Sequence, residues 1–158
     1  MSTQGQTIAE ANNFMALEPR LVELVRQAVE GMSPAVHVLT TAELADVKES
    51  AQRTPAVHVI YGGYRIADDI GTAWELDHTW YVVAAVRNVA AARSGQAARQ
   101  VAGALAAHVV GALAGAQVLG ATRPLTLMSP PPARYAGGFQ YLPSAFLAKT
   151  VFRKPQPQ

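Results

Sequence analysis

The chain has 158 residues, half of them hydrophobic and 15% charged, with a formal net charge of +2. That length suits one domain whose core needs no staples, and the absence of cysteine excludes a disulfide framework, a thiolate metal site and a thiol nucleophile. No basic run beyond Arg153-Lys154 marks a nucleic-acid groove, and the polar start MSTQGQTIAEANN lacks the basic and apolar regions of a signal peptide, so cytoplasmic synthesis is expected.

Residues 1–16 are polar and terminal, and are expected to be a loosely ordered arm. Glu18-Pro19 then opens a helix, since proline is tolerated in a first turn and a carboxylate suits the positive end of the dipole. Leu21, Val22, Leu24, Val25 and Val29 form its apolar face and Gly31 ends it. The pattern predicts a strand over Ala35–Thr40, followed by a short peripheral helix, AELADVKESAQ, capped by Thr40 or Thr41. That helix touches the core only through Leu44 and Val47.

Pro55 restarts extended chain. Val57, Val59 and Tyr61 alternate with His58 and Ile60, and Gly62-Gly63 signals a bulge, a bend or a close backbone approach. The strand resumes over Tyr64–Ile66, and Ala67–Ala73, ADDIGTA, reads as a polar connection. The next strand, Trp74–Arg87, organises the rest. Trp74, Leu76, His78, Trp80, Val82, Ala84 and Val86 fall on one side, and Glu75, Asp77, Thr79, Tyr81, Val83, Ala85 and Arg87 on the other. The first side is a core face. The second turns apolar after Thr79, which predicts burial on both faces in the middle of a sheet. Both tryptophans are expected to anchor a helix layer packed across that sheet. The simplest topology is an antiparallel hairpin, 56–66 with 74–87, whose tip projects as a contact element.

A helical period follows from Ala91 to Ala114, with Val101, Leu105, Val109 and Leu113 as its apolar stripe. The uncharged run Val101–Ala121 approaches a bilayer span, and Gly111 and Gly115 have the spacing of packed membrane helices. The run is mostly alanine and glycine, however, and His108 and Gln117 would sit in lipid, so it reads as a helix lying on a sheet. Arg123–Met128 is predicted as a strand, Ser129–Gly138 as a proline-rich loop, and Phe139–Phe152 as a last strand with Phe146, Ala148, Thr150 and Phe152 on one face. Pro143 would confine that strand to an edge or to its first residues. The order predicts an α/β (α+β) two-layer sandwich: a mixed, mainly antiparallel sheet with a long hairpin, helices packed on one face. One domain spans 17–154, between the arm 1–16 and a flexible tail 155–158.

Reactive groups do not converge in the sequence. His37, His58, His78 and His108 stand at no metal-ligand spacing, and His78, between Leu76 and Trp80, reads as a hydrogen-bonded core histidine ahead of a catalytic base. Asp68-Asp69 and Glu75/Asp77 are acidic pairs able to bind a cation or serve acid/base chemistry, although turn carboxylates more often cap amides and stay in water. Gly62-Gly63 lacks the Lys-Ser/Thr of a phosphate loop, and no GxSxG occurs. Tyr61, Tyr64, Arg65, Trp80 and Arg87 have the residue types of a base-stacking platform, but aromatics at period two more often pack across strands. No catalytic, cofactor or metal residue is assigned, and an assembly role remains.

The strand PAVHVIYGGYRIAD, its partner WELDHTWYVVAAVRN, the Ala-rich helix and the ending RPLTLMSPPPARYAGGFQYLPSAFLAKTVFRK resemble the tail terminator proteins of long-tailed, Mu-like and lambda-type bacteriophages, over Leu17 to Lys154. The most telling part is Pro124-Leu125, a proline-rich loop, then Gly137-Gly138 leading into an aromatic strand with Phe146. The resemblance implies a non-enzymatic structural protein of the virion. It would form a ring, typically hexameric, on the last ring of tail tube protein, stop polymerisation and present a surface to the head-tail connector protein. DNA would pass through the lumen without sequence recognition. A closed ring needs two different complementary patches, expected at the hairpin tip, with Asp68, Asp69 and Ile70, and at the loop Ser129–Gly138, with Arg134 and Tyr135 as anchors. Two other readings stay open: a phage neck or head-completion connector, and a small enzyme or regulatory domain outside phages.

Overall fold

In the computed structural model, which describes residues 7–87 and 96–156, two long strands carry the fold. These are β2, Ala56–Asp69, and β3, Ala73–Arg87, paired antiparallel. Around them stand helices α1 (Ile8–Asn12), α2 (Glu18–Val29), α3 (Thr41–Ala45) and α4 (Gln96–Leu113), a 3-10 turn at Glu49–Ala51, and strands β1 (His37–Thr40), β4 (Thr126–Met128), β5 (Arg134–Ala136) and β6 (Phe139–Arg153). The sheet runs β1-β2-β3-β6-β4, with β5 also against β6; only β1 and β2 are parallel. This is the mixed, mainly antiparallel sheet with a long hairpin that the element order predicts.

Alternation along the strands decides where the core lies. Val57 and Val59 of β2, Trp80, Val82 and Ala84 of β3, and Phe146 and Ala148 of β6 share one face. Against it pack Leu21, Val22, Val25 and Val29 of α2 and Leu105, Val109 and Leu113 of α4. Trp80 and Phe146 have no solvent exposure, and each buries enough apolar area to stabilise the layer by several kcal/mol, on the order of 3–5 by truncation data. His108 donates from Nε2 to the Ala28 carbonyl and ties α4 to α2.

The tryptophans separate, contrary to expectation. Trp80 is the core anchor, whereas Trp74 is half-buried at the hairpin tip against Phe152, 5.8 Å between ring centroids. The α4 stripe also departs from its sequence form: Val101 is 50% exposed, while Ala98 and Ala102 are buried beside Val86. Each step of four residues drifts by about 40° on a 3.6-residue helix. With the buried stripe centred on Val109, Leu105 and Leu113 lie roughly 40° to either side and Val101 roughly 80° away, off the sheet, whereas Ala98 and Ala102 fall within about 20° of the centre. The expected first turn of this helix, residues 91–95, lies outside the described residues.

The strands expected over 35–40 and 123–128 are shorter, His37–Thr40 and Thr126–Met128, and four larger features differ from the sequence reading, each for a local reason. Residues 7–12, expected within a loose arm, carry α1, whose Thr7 and Glu10 form a reciprocal capping box; residues 1–6 lie outside the described residues. The helix expected over 42–52 breaks after Ala45 and resumes only as the 3-10 turn. The loop Ser129–Gly138 contains β5, which turns back into β6 through Gly137 and Gly138, φ +59° and +83°, the left-handed pair a two-residue hairpin turn requires. Finally, β6 is an interior strand and not an edge. Pro143 falls in the interval between the residues paired by β5, ending at Tyr141, and those paired by β4, starting at Ala145. The sheet has a local edge there, and proline's missing N–H costs no ladder bond on that side.

The far face of β3 is only partly covered. Ala85 is buried, but Tyr81 and Val83 are half-buried; α3, Val47, Glu49, Gln52 and the Pro131-Pro132 loop approach that side around an open groove. Full burial on both faces is therefore not reached.

Candidate functional site

The hairpin extends further than its polar sequence suggests. Asp68 and Asp69 pair with Glu75 and Trp74, so the turn is only Ile70-Gly71-Thr72. Ile70 N–H donates to the Ala73 carbonyl at 3.0 Å and Gly71 N–H to Asp69 Oδ1 at 2.9 Å. Gly62-Gly63 is a bulge opposite Thr79, between the pairs Tyr61/Trp80 and Tyr64/His78. Gly63 takes φ +98°, and a Cβ on Gly62 would lie 2.6 Å from the Tyr81 ring, so both positions need glycine.

The first and last described segments of the chain, around Asn12–Phe14 and Phe152–Lys154, come to this tip. Asn12 acts as a side-chain strand partner: its Nδ2 donates to the Arg153 carbonyl at 3.0 Å, and Arg153 N–H donates to its Oδ1 at 2.9 Å. Phe14 inserts between Tyr64, His78 and Phe152, at 4.6, 5.8 and 5.8 Å between centroids. Lys154 donates from Nζ to Asp69 at 2.6 Å and lies 4.6 Å from the Trp74 ring centroid. These Lys154 and Gly71 hydrogen bonds hold the Asp69 carboxyl below its ordinary value. The result is an ordered end of the molecule in which exposed Ile8 and Ile70 line a groove of about 500 Å³, and Ile66 is exposed further down β2.

The other end is built on β5, the start of β6 and the proline loop. The Arg134 guanidinium sits 5.3 Å from the Tyr141 ring centroid, Gln52 Nε2 donates to Tyr141 Oη at 3.0 Å, and Tyr135 is exposed. Burial raises the Tyr141 phenol, Glu49 adding to the effect. A groove of about 510 Å³ opens here between Leu44, Val47, Ile60, Val83, Pro131 and Pro132. Arg134 pairs with Tyr141, which pairs with Ala85, whereas the tip begins at Ala73. From Ala73 to Ala85 is twelve residues of β3, roughly 40 Å at about 3.3 Å each. Asp68, Asp69 and Ile70 are therefore not brought together with Arg134 and Tyr135; they occupy opposite ends.

The reactive candidates are accounted for by structure. His78 is 2% exposed; Nδ1 meets Tyr61 Oη at 2.7 Å and Nε2 meets Thr150 Oγ1 at 2.8 Å. Burial lowers its pKa, opposed by nearby Asp77. His58 is buried with Nε2 unpartnered, and burial lowers it too. Asp77 is 5% exposed and bound by Arg65 at 2.8 Å and Lys149 at 2.7 Å. Burial pushes its carboxyl up, but those hydrogen bonds and charges outweigh burial and hold it below its ordinary value. The acidic pairs thus fail to converge, because Asp68 and Asp69 point to opposite faces and Asp69 and Asp77 are already engaged by lysine and arginine. Among the described residues no group of three or more His, Cys, Asp or Glu is placed to hold a metal. Nor do the aromatic and basic residues form a stacking platform: Trp80 has no exposure, and Arg65 and Arg87 lie on the opposite face from Tyr61 and Tyr64. Among the described residues no helix is long and apolar enough to cross a membrane.

Sequence reading misses the clasp at the tip. The capping-box spacing Thr7-x-x-Glu10 is a usable signal for α1, but nothing local marks Asn12 as the partner of Arg153 or Lys154 as the partner of Asp69, since those contacts span 141 and 85 residues.

A protein-family model described as phage tail terminator protein matches residues 11–157. No curated protein matches. A solved chain from the virion of a native gene transfer agent (GTA) particle superposes with a TM-score of 0.54 at 18% identity, covering 86% of this chain and 98% of that chain. At that identity the likeness is one of fold.

Proposed function

Because this chain belongs to the phage tail terminator protein family, whose members are structural virion proteins that end the tail, we propose that its copies close into a non-enzymatic ring on the last ring of tail tube protein. The family match over nearly the whole chain is the observation that carries this reading. A ring of this kind halts tube growth by covering the surface to which the next tube subunits would add. Six copies would match a six-fold tube, and the head-tail connector would meet the opposite side.

The geometry supports an axial arrangement. The strands of the hairpin run from one end of the molecule to the other, so a ring with strands running close to its axis carries the tip patch on one rim and the β5 patch on the other. Ile8, Ile66 and Ile70 suit a partner with apolar surface, and Arg134 and Tyr135 suit an interface rich in π contacts. Asp68 and Asp69 then belong to the tip rim, with Asp69 shaping the turn through Lys154. DNA passes through the lumen without being read, which fits a Trp80 that is fully buried and Arg65 and Arg87 that lie on the face opposite Tyr61 and Tyr64. The ring assembles in the host cytoplasm and stays at the head-proximal end of the tail.

The test is tube polymerisation in solution. Purified tail tube protein allowed to elongate should stop growing when this chain is added in small molar proportion, with extra density at one tube end by electron microscopy. Tubes that lengthen unchanged and carry no added density would overturn the proposal.

A further inference from the structure

Each copy carries two open sheet edges. On one flank, β1 pairs β2 only at Ala56–Val59, and among the described residues no strand pairs the outer edge of β2 beyond that point. Tyr64 and Ile66 on this stretch are 50% and 57% exposed. On the other flank, β4 pairs β6 and, among the described residues, no strand lies outside it; just before it Leu125 N–H donates to the Ala116 carbonyl and the Leu125 carbonyl accepts from Gly115 N–H, which bounds the open edge, and Leu127 is 49% exposed. Unpaired edges with apolar side chains are pairing sites unless covered or blunted.

Four features make these edges complementary. Strand direction reverses from β2 to β3, from β3 to β6 and from β6 to β4, so β4 runs opposite to β2. Copies related by a rotation about an axis near the strand direction would therefore set β4 of one antiparallel to β2 of the next. Height agrees to within a small stagger. Leu127 pairs Phe146, Phe146 pairs Trp80, and Trp80 pairs Tyr61, so Leu127 is level with Tyr61, and Tyr64, which pairs His78, lies two β3 residues or roughly 7 Å further toward the tip. A ring closes only without axial rise, and a stagger of this size is taken up by tilting the strands from the axis. Face agrees too: Leu127, through Phe146 and Trp80, lies on the helix-covered side, as do Tyr64 and Ile66. Charge adds to the match, since exposed Asp68 lies on the first edge and exposed Arg123 just before the second.

We propose that neighbouring copies in the ring join by edge-to-edge strand pairing, β4 of one copy antiparallel to β2 of the next, with Leu127 opposite Tyr64 and Thr126 opposite Arg65. Tyr64 is the first exposed residue of β2 on the correct face beyond the Gly62-Gly63 bulge. That bulge and the second register shift, between Ile66 and Asp68, limit the pairing to a short run, matched by the short β4. The sheet then continues from copy to copy around the lumen, and neither edge is left open. The inference rests on the ring reading above but concerns a contact that reading does not specify.

The chain has no cysteine, so Tyr64→Cys and Leu127→Cys placed together in one chain give a single crosslinkable pair per contact. Treated with a short bismaleimide when assembled on tube ends, this variant should give a ladder of covalent multimers ending at the ring number, while a chain carrying Ala112→Cys alone should not. In the unmodified chain, amide exchange over residues 64–65 and 126–127 should slow by roughly ten-fold or more on assembly. Caps that form without the ladder and with unchanged exchange would overturn the edge pairing and leave the ring reading standing. If no cap forms even with the unmodified chain, the ring reading fails and this inference with it.

Discussion

The two halves of the β2–β3 hairpin are continuous in secondary structure and opposite in environment. At the base, Ala56, Val57 and Val59 face Val82, Ala84 and Ala85, all of them buried. Toward the tip, from Tyr64 to Asp69, every residue of β2 is exposed, and order comes from the Phe14 insertion, the Asn12 clamp and the Lys154 bridge. The base is held by apolar area and the tip by a few specific polar and ring contacts. A surface ordered in this way can keep its shape while leaving Ile66 and Ile70 uncovered, which is what a contact element requires.

The comparison is sharpest at Trp80. Trp80→Ala should cost about 3–5 kcal/mol in chemical denaturation, and assembly should fail because the fold fails. A loss below about 1 kcal/mol would mean that the base is not the core. Next comes Asp77, on the tip half but buried under Arg65 and Lys149. Asp77→Ala should cost about 1–3 kcal/mol at neutral pH. Because the folded carboxyl is held below its ordinary value, this stabilisation is complete above the ordinary carboxylate range and fades as pH falls through the folded value. A cost independent of pH would contradict the ion triad.

The base also contains His58, whose imidazole is depressed by burial. Its neutral form is the one the fold accepts, so its stabilising effect is complete above about pH 6.5 and declines as pH drops below that. His58→Leu should be near neutral at about pH 7.5 and should flatten the melting-temperature profile below about pH 6.5; an unchanged slope would assign the acid sensitivity to His78. The smallest effect on folding is expected at the tip surface. Ile66→Ser or Ile70→Ser should change stability by no more than about 0.5 kcal/mol yet reduce incorporation into tails, measured by the protein content of purified particles. Normal incorporation of both variants would break the division between base and tip.

Period-two alternation is strong enough to place the core face of β3, the Gly62-Gly63 bulge and the face of β6 carrying Phe146, because those features depend on residues adjacent in sequence. The split between Trp74 and Trp80 is not legible there. Both lie on the same face, and which one meets a helix depends on how far α4 reaches along the sheet. Pro143 misleads for a related reason: it rules out a ladder bond on one side, but only the placement of β4 and β5 shows that this side has a gap. Of the candidate contact residues, the sequence supplies Asp68, Asp69, Ile70, Arg134 and Tyr135 as two groups. It does not show that they lie at opposite ends, since that follows from the full β3–β6 register.

The central claim, that this chain ends the tail, is tested most directly by electron microscopy of particles made by the parent phage with this gene removed, scoring tail length and head attachment. The account predicts overlong tubes without heads. Tails of normal length beside filled, unattached heads would contradict it in favour of a neck connector, and ordinary infectious virions would contradict any role in joining or ending the tail.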